Sequence, residues 1–261
     1  MGFRNNNMGY RQDLLSSRAV IKKGNFALIP KDGLVKNTIP GFENCDITIL
    51  ASPKLGATFV DYFVSMLQGG KTTTGFGEDG VETFVYVLSG EVNVTVHNQV
   101  FDLKNGGYVY CPPNEKMHLE NVYSGTSELF LYKRRYKWVD GYKPYVYSKN
   151  IEDIIPQQYE GMEDVLVYDL LPQGLEFDMN FHILSFEAGA SHGYIETHVQ
   201  EHGAYILNGE GVYNLDNHWI PVKKGDYLFM GAYSLQAGYG VGRGEAFSYL
   251  YSKDCNRDEE I

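Results

Sequence analysis

Along the chain, apolar residues alternate with polar ones over short runs of Val, Tyr, Phe and Leu, and each run is closed by Gly, Asn or Asp. A period of two is that of a strand with one buried face, and the closing residues supply turns. The pattern therefore predicts many short strands at the spacing of sandwiches and barrels. Helical periodicity is scarce. Strand-like pieces at Asp46–Leu50 and Thr58–Val64 precede the main pattern and are expected to extend the first sheet.

The pattern occurs twice. Phe84–Val92 matches Gly203–Gly211, with Gly90 and Gly209 separated by 119 positions, and the same offset relates Gly106–Pro112 to Gly225–Gly231 and Glu128–Tyr132 to Phe247–Tyr251. Two copies of one β-rich unit follow. Between them, the stretch from Tyr136 to Gln158 carries Pro144 and Pro156 and few periodic apolar residues, which reads as a linker. The expected division is an N-terminal unit over residues 1–140, a linker over 141–158 and a C-terminal unit over 159–261.

Composition narrows the function. Among 261 residues, 33 acidic against 22 basic side chains give a formal charge of -11, the wrong sign for neutralising a phosphate backbone, so nucleic acid is not expected as a partner. The 21 Tyr and 14 Phe suit half-buried pleated surfaces. No run of about eighteen apolar residues exists, which argues against a membrane-spanning helix. The Asn-rich start Met1–Tyr10 lacks the apolar stretch of a secretion signal, and Asn6 stands where myristoylation requires Ser or Thr, so a cytoplasmic protein is expected. Cys45, Cys111 and Cys255 are isolated, which suggests neither a disulfide framework nor a thiolate zinc site. Asn93 begins a glycosylation triplet inside a predicted strand, a match expected by chance.

Candidate chemistry concentrates between His192 and Gly209. Glu196, His198 and His202 are separated by even numbers, so in a strand all three side chains leave one face. In a helix Glu196 would point about 200° away from His198. The segment His198–His202 resembles the helical HExxH zinc motif only superficially, because its Glu is misplaced and its flanks are strand-like.

The spacing resembles that of the cupins, whose motifs G-x5-H-x-H-x3,4-E-x6-G and G-x5-P-x-G-x2-H supply three His and one Glu to a divalent metal. Laid on this chain, the first motif puts Glu196, His198 and His202 at ligand positions, with six residues between His202 and Gly209. The second runs from Gly225 through Gly231 and Tyr233 to Gln236 at the last ligand position. Glu and His have exchanged places, and Gln replaces the final His. With the flanking segments Gly193–Tyr205 and Gly225–Tyr239, this departure resembles the (S)-ureidoglycine aminohydrolases, a bicupin family of purine and allantoin breakdown. The resemblance runs from Gly9 to the end and is most specific from Asp178 to Arg257.

This resemblance implies an all-β bicupin, two tandem cupin barrels of the double-stranded β-helix or jelly-roll kind. It implies Mn²⁺ held by Glu196, His198, His202 and Gln236, and release of ammonia from (S)-ureidoglycine to give (S)-ureidoglycolate. Tyr213, Tyr249, Lys253 and Gln236 would approach the substrate, with Lys253 handling a proton and Glu196 sharing that work. Read without the family, a strand Tyr is a core or rim residue and a Lys ending a strand is a solvated edge charge. Arg243, Arg257 and His192 are further cationic or titratable neighbours without an assigned role.

The residues themselves support part of this. Two imidazoles, a carboxylate and an amide oxygen suit manganese or iron, and one carboxylate against a dication leaves a positive centre for an anionic ureide. In the first copy the offset of 119 places Gly77, Asp79, Thr83 and Met117 at the ligand positions, of which only Asp79 could ligate. Glu82 and His118 lie one residue off register, on the opposite face, so that barrel is expected to be a structural lobe without a metal. Two other readings stay open: a metal cupin acting as a dioxygenase or isomerase on a small polar acid, and a non-catalytic bicupin that binds a small ligand. A homo-oligomer is expected, of a size that no residue pattern sets.

Overall fold

The computed structural model describes residues 17–259 and 261 of the chain. The expectations placed on Met1–Tyr10, and the resemblance at Gly9–Arg11, lie outside the described residues. Every strand pairing among the described residues is antiparallel. No described helix is long and apolar enough to cross a membrane, and all three cysteines are free.

The first barrel is built from Phe42–Ala51, Phe59–Thr72, Val81–Ser89, Gly107–Cys111 and Ser127–Arg135 along one wall, with Glu91–Val96, Gln99–Lys104 and Met117–Asn121 along the other. The second sets Met179–Phe186, His202–Asn208, Tyr227–Met230 and Phe247–Asp254 against a three-stranded sheet of Glu210–Leu215, His218–Lys223 and Gln236–Gly240. Alternation sorts the side chains. On the first large wall Val85, Val87, Val109, Leu129 and Leu131 point into their own barrel. Phe84, Tyr86, Tyr108, Tyr110, Phe130 and Tyr132 point out of it, and the second barrel covers them. These strands are thus buried on both faces, aliphatic inside and aromatic outside.

The aromatic faces meet between the barrels. Phe84 stacks on Phe181 with ring centroids 3.8 Å apart, and Phe63 lies parallel to Tyr205 at 6.0 Å. Burying an aromatic side chain of this kind contributes about 1.5–3 kcal/mol, so these Tyr and Phe side chains hold the two barrels together.

The repeat is legible in the backbone. Gly90 and Gly209 have φ of 86° and 72°, and His97 and Asp216, also 119 positions apart, have φ of 51° and 52°. A Cβ on Gly90 would press on Ser127 and one on Gly209 on Ala246, the equivalent residue of the second copy. Each turn therefore needs both a left-handed conformation and the absence of a side chain.

Strand pairing departs from the boundaries expected from sequence. Val20–Lys22 and Phe26–Ile29 precede the first barrel, yet Phe26–Ile29 pairs with Tyr227–Met230 of the second. The 141–158 segment is not a bare tether, because Tyr147–Asn150 pairs with Gly107–Cys111 and Gln157–Gln158 with Val167 and Leu166. Edge strands of both sheets offered free backbone donors and acceptors, and these outlying pieces satisfy them.

Candidate active site and metal centre

One end of the second barrel opens into a cavity of about 650 Å³ lined by Glu196, His198, His202, Tyr213, Gln236, Tyr249 and Lys253, so all the site residues expected from sequence meet in one place. They arrive by a route that sequence reasoning mistook. Glu196, His198 and His202 do not share the face of one strand, and only His202 begins a strand. Glu196 forms an isolated bridge to Gln236, with reciprocal backbone hydrogen bonds of 2.9 and 3.0 Å. His198 sits in the loop between, where its carbonyl accepts the Tyr233 N–H at 2.7 Å. In an extended strand, residues four apart would be separated by about 13 Å. The bend of the loop is what brings His198 Nε2 to 3.3 Å from His202 Nε2.

The tautomer of His202 is fixed by its partner. His202 is buried, and its Nδ1 lies 2.7 Å from the Ser252 carbonyl oxygen. A carbonyl can only accept, so Nδ1 carries the proton and Nε2 presents a lone pair. Burial, then the neighbouring His198, pushes the His202 pKa down to about 3. His198 is likewise held below the ordinary imidazole range, by burial and then by the charge of Lys253. Its Nε2 lies 2.7 Å from the side-chain amide of Gln236. The Glu196 carboxylate stands 4.0 Å from the same nitrogen and accepts a hydrogen bond from the Tyr159 phenol.

This donor set fits a divalent ion. Metal–ligand bonds of about 2.0–2.2 Å put adjacent donor atoms about 3 Å apart, the spacing seen among His198, His202 and Gln236. Among the described residues no three His, Cys, Asp or Glu side chains form a closed cluster, since Glu196 is turned toward Tyr159. Rotation of its side chain, and of the Gln236 amide to present oxygen, would complete a four-residue set around such an ion.

Around it, the hydroxyls of Tyr213 and Tyr249 lie 3.4 Å apart, and burial raises the pKa of both phenols. Lys253 lies near the end of Phe247–Asp254, opposite Asn180. His192 also lines the cavity, its Nδ1 accepting the Gly238 N–H at 2.7 Å. Arg257 is bound elsewhere, to the carbonyls of Lys137 and Leu175 and the Tyr136 hydroxyl, and Arg243 lies in a separate groove beside Tyr239.

Sequence reasoning did not find the remaining lining. Tyr159 and Glu160 come from the segment joining the barrels, and Glu160 accepts the Tyr194 hydroxyl at 2.8 Å, strapping the mouth. Asp169 and His182 contribute from Val165–Asp169 and Met179–Phe186, with Gln173 and Tyr251 beside them. The signal was there in Met179–Phe186, where Asn180 and His182 put two polar side chains on the face they share with Leu184 and Phe186, although the strand is internal to its sheet. In the first barrel, Thr83 and Met117 are buried, Glu82 faces the second barrel and accepts the Tyr110 hydroxyl, and His118 is exposed. Met66, Phe76, Val94, Met117 and Leu119 fill that interior.

Comparison with known proteins gives the family and the fold. A EutQ-like cupin domain model matches residues 58–129, within the first barrel. The (S)-ureidoglycine aminohydrolase of Escherichia coli K12 is 65% identical over 261 residues, covering 100% of both chains. The crystal structure of protein Ylba from E. coli superposes with a TM-score of 0.87 at 61% identity, covering 97% of this chain and 100% of that one. Bacillus subtilis oxalate decarboxylase shares the fold at a TM-score of 0.69 and 12% identity, over 100% of this chain and 86% of its own. The architecture is thus the all-β bicupin that the family resemblance implied. With a relative 65% identical along the whole of both chains, the chain belongs to the (S)-ureidoglycine aminohydrolase family.

Proposed function

We propose that the protein is a metal-dependent hydrolase that releases ammonia from (S)-ureidoglycine, giving (S)-ureidoglycolate in purine degradation. The observation that carries this is the approach of the His198 and His202 Nε2 atoms to 3.3 Å, with the Gln236 amide alongside, inside the cavity of a chain 65% identical to an enzyme of that name. His198, His202, Glu196 and Gln236 would hold the metal, and the mixed nitrogen and oxygen donors without thiolate favour Mn²⁺. When bound, such an ion supplies a positive template for the substrate's carboxylate and amine.

The chain's own residues do the rest. Lys253 adds a second positive charge on the cavity wall, orients the carboxylate and handles a proton at the leaving amine. Tyr213 and Tyr249, kept protonated by burial, offer hydroxyls to the ureide without adding charge. Glu196 has one oxygen engaged by Tyr159 and the other turned toward His198, where it can share the proton traffic. The strap of Tyr159, Glu160 and Tyr194 limits access of bulk water. The first barrel is a structural lobe. This reading places the enzyme in the cytoplasm, and exposed Trp138, Tyr142 and Trp219 support a homo-oligomer.

The test is a joint record of ammonia release and oxygen uptake with freshly generated (S)-ureidoglycine. The expected result is ammonia above the spontaneous rate with no oxygen consumed. Oxygen uptake would make the protein a cupin oxygenase, and binding without turnover would make it a ligand-binding bicupin.

A further inference from the structure

On the cavity wall beside Lys253, Asp169 and His182 form a pair that the proposed chemistry leaves without a task. They are direct cross-strand partners in the pairing of Val165–Asp169 with Met179–Phe186. The His182 Nδ1 lies 2.6 Å from Asp169 Oδ1, and the other carboxylate oxygen accepts the Gln173 amide at 3.0 Å. The contact with His182, opposed by desolvation, holds the Asp169 carboxyl below its ordinary range, so it is an anion and can only accept. His182 must therefore carry its proton on Nδ1, and a neutral ring presents the Nε2 lone pair. Among the described residues Nε2 makes no hydrogen bond, and it is not among the buried polar atoms without partners, so it opens to the cavity that His182 lines.

The pair is also placed near the reacting centre. Tyr251 is the cross-strand partner of His182, and its ring lies 5.2 Å from the His182 ring on one side and 5.2 Å from the His202 ring on the other. Lys253, two residues on, shares the face of Tyr251. A carboxylate fixing an imidazole tautomer while the far nitrogen faces a reaction space is the arrangement that makes histidine a proton acceptor.

We propose that His182, oriented by Asp169, is a second proton-handling residue of this active site, exchanging the proton of the substrate's ureido nitrogen while Lys253 serves the amine. The inference rests on the functional reading above. In the first half, Nε2 takes the proton from the ureido N–H beside the reacting carbon. The freed electron pair forms a C=N bond, the bond from carbon to the amine breaks, and the amine takes that bond's electrons and one proton from the Lys253 ammonium to leave as ammonia. In the second half, water adds its oxygen to the carbon and gives a proton to Lys253. The C=N electron pair returns to nitrogen, which recovers the proton held on His182. The sum is ureidoglycine plus water giving ureidoglycolate plus ammonia, with both side chains restored.

The test uses the full-length metal-loaded protein, with metal content measured for every variant. His182→Gln should lower kcat by about 100-fold or more, the scale of general acid–base catalysis, with KM and metal content held. His182→Gly should regain turnover when free imidazole is added, a rescue that a purely structural contact would not show. Nitrogen-15 spectra of the histidine rings should show His182 with its proton on Nδ1, moving to Nε2 in Asp169→Asn. An active wild type with His182→Gln inside twofold of its kcat, or a wild-type His182 protonated on Nε2, overturns the proposal. A wild type with no ammonia release overturns the functional reading instead, and the tautomer then decides this proposal's structural premise by itself.

Discussion

Glu201 accepts two hydrogen bonds from Thr58, one from the backbone N–H and one from the hydroxyl, each 3.0 Å long. Thr58 belongs to the first barrel's side of the molecule, whereas Glu201 stands between His198 and His202. The same loop is held again where the Glu201 N–H donates to Asp254 at 2.7 Å, and Asp254 in turn lies 3.5 Å from Arg134 of the first barrel. On the other side of the proposed ligand set, Asn25 accepts the Gly231 N–H and the Ser234 hydroxyl, fixing the turn before Gln236. Thr58 and Arg134 of the first barrel thus hold the loop that carries the proposed ligands His198 and His202 of the second.

Glu201→Ala should therefore lower metal affinity by about 10- to 100-fold, the scale found when supporting contacts behind a metal ligand are lost. Loss of the hydrogen bonds themselves should cost about 1 kcal/mol of stability, discounted for partial exposure. Metal titration and thermal unfolding of the variant check both figures. Unchanged affinity would show that the loop holds its shape without Thr58.

Metal analysis of the purified protein should find one divalent ion per chain, with manganese giving the highest activity, because the first barrel's interior is filled by Met66, Phe76 and Met117. His202→Ala should abolish most of the affinity and leave the fold intact. Two ions per chain would contradict this, and unfolding of the variant together with metal loss would identify a structural metal.

Lys253→Met keeps much of the stem and deletes the ammonium, so metal content should not change. If Lys253 handles a proton, kcat should fall by about 100-fold or more. A loss confined to KM would make it a carboxylate clamp. Normal values of both would return it to a solvated strand end.

Between the barrels, Asp61 is fully buried, with one oxygen accepting the Tyr227 hydroxyl at 2.6 Å and the other without a partner. Burial holds its carboxyl well above the ordinary range, partly offset by that hydrogen bond. The folded protein thus keeps a proton that the unfolded chain releases at a pKa of about 3.9. Its contribution to stability is full below that pH and is lost as pH rises through the folded value. Asp61→Asn should remove this part of the slope, so its unfolding midpoint should fall less than that of the wild type between about pH 5 and pH 9. The new amide hydrogens add a pH-independent offset of about 1–3 kcal/mol if unpartnered. Parallel curves for the two proteins would show that Asp61 is ionised in the fold.

Much of this was legible in the chain. The offset of 119 relates residues that share backbone conformation, as at His97 and Asp216, and the motif order of Glu196, His198, His202 and Gln236 pointed to one cavity. The geometry of Glu196, His198 and His202 was not, since even spacing describes a strand and says nothing about a loop bent by contacts with Gln236 and Tyr233. Nor were the long-range partners. Val20–Ile29 joins the second barrel because an edge strand there needed pairing, and Tyr159 meets Glu196 across 37 positions, neither of which leaves a periodic trace.

The most direct measurement is the rate of ammonia release from freshly generated (S)-ureidoglycine by one preparation taken as purified, stripped by chelator and reloaded with Mn²⁺. Release above the spontaneous rate that disappears on stripping and returns with Mn²⁺, in the wild type but not in His202→Ala, is the predicted result. Release that persists undiminished after the metal is removed, or that never exceeds spontaneous decay in any of the three states, would contradict it.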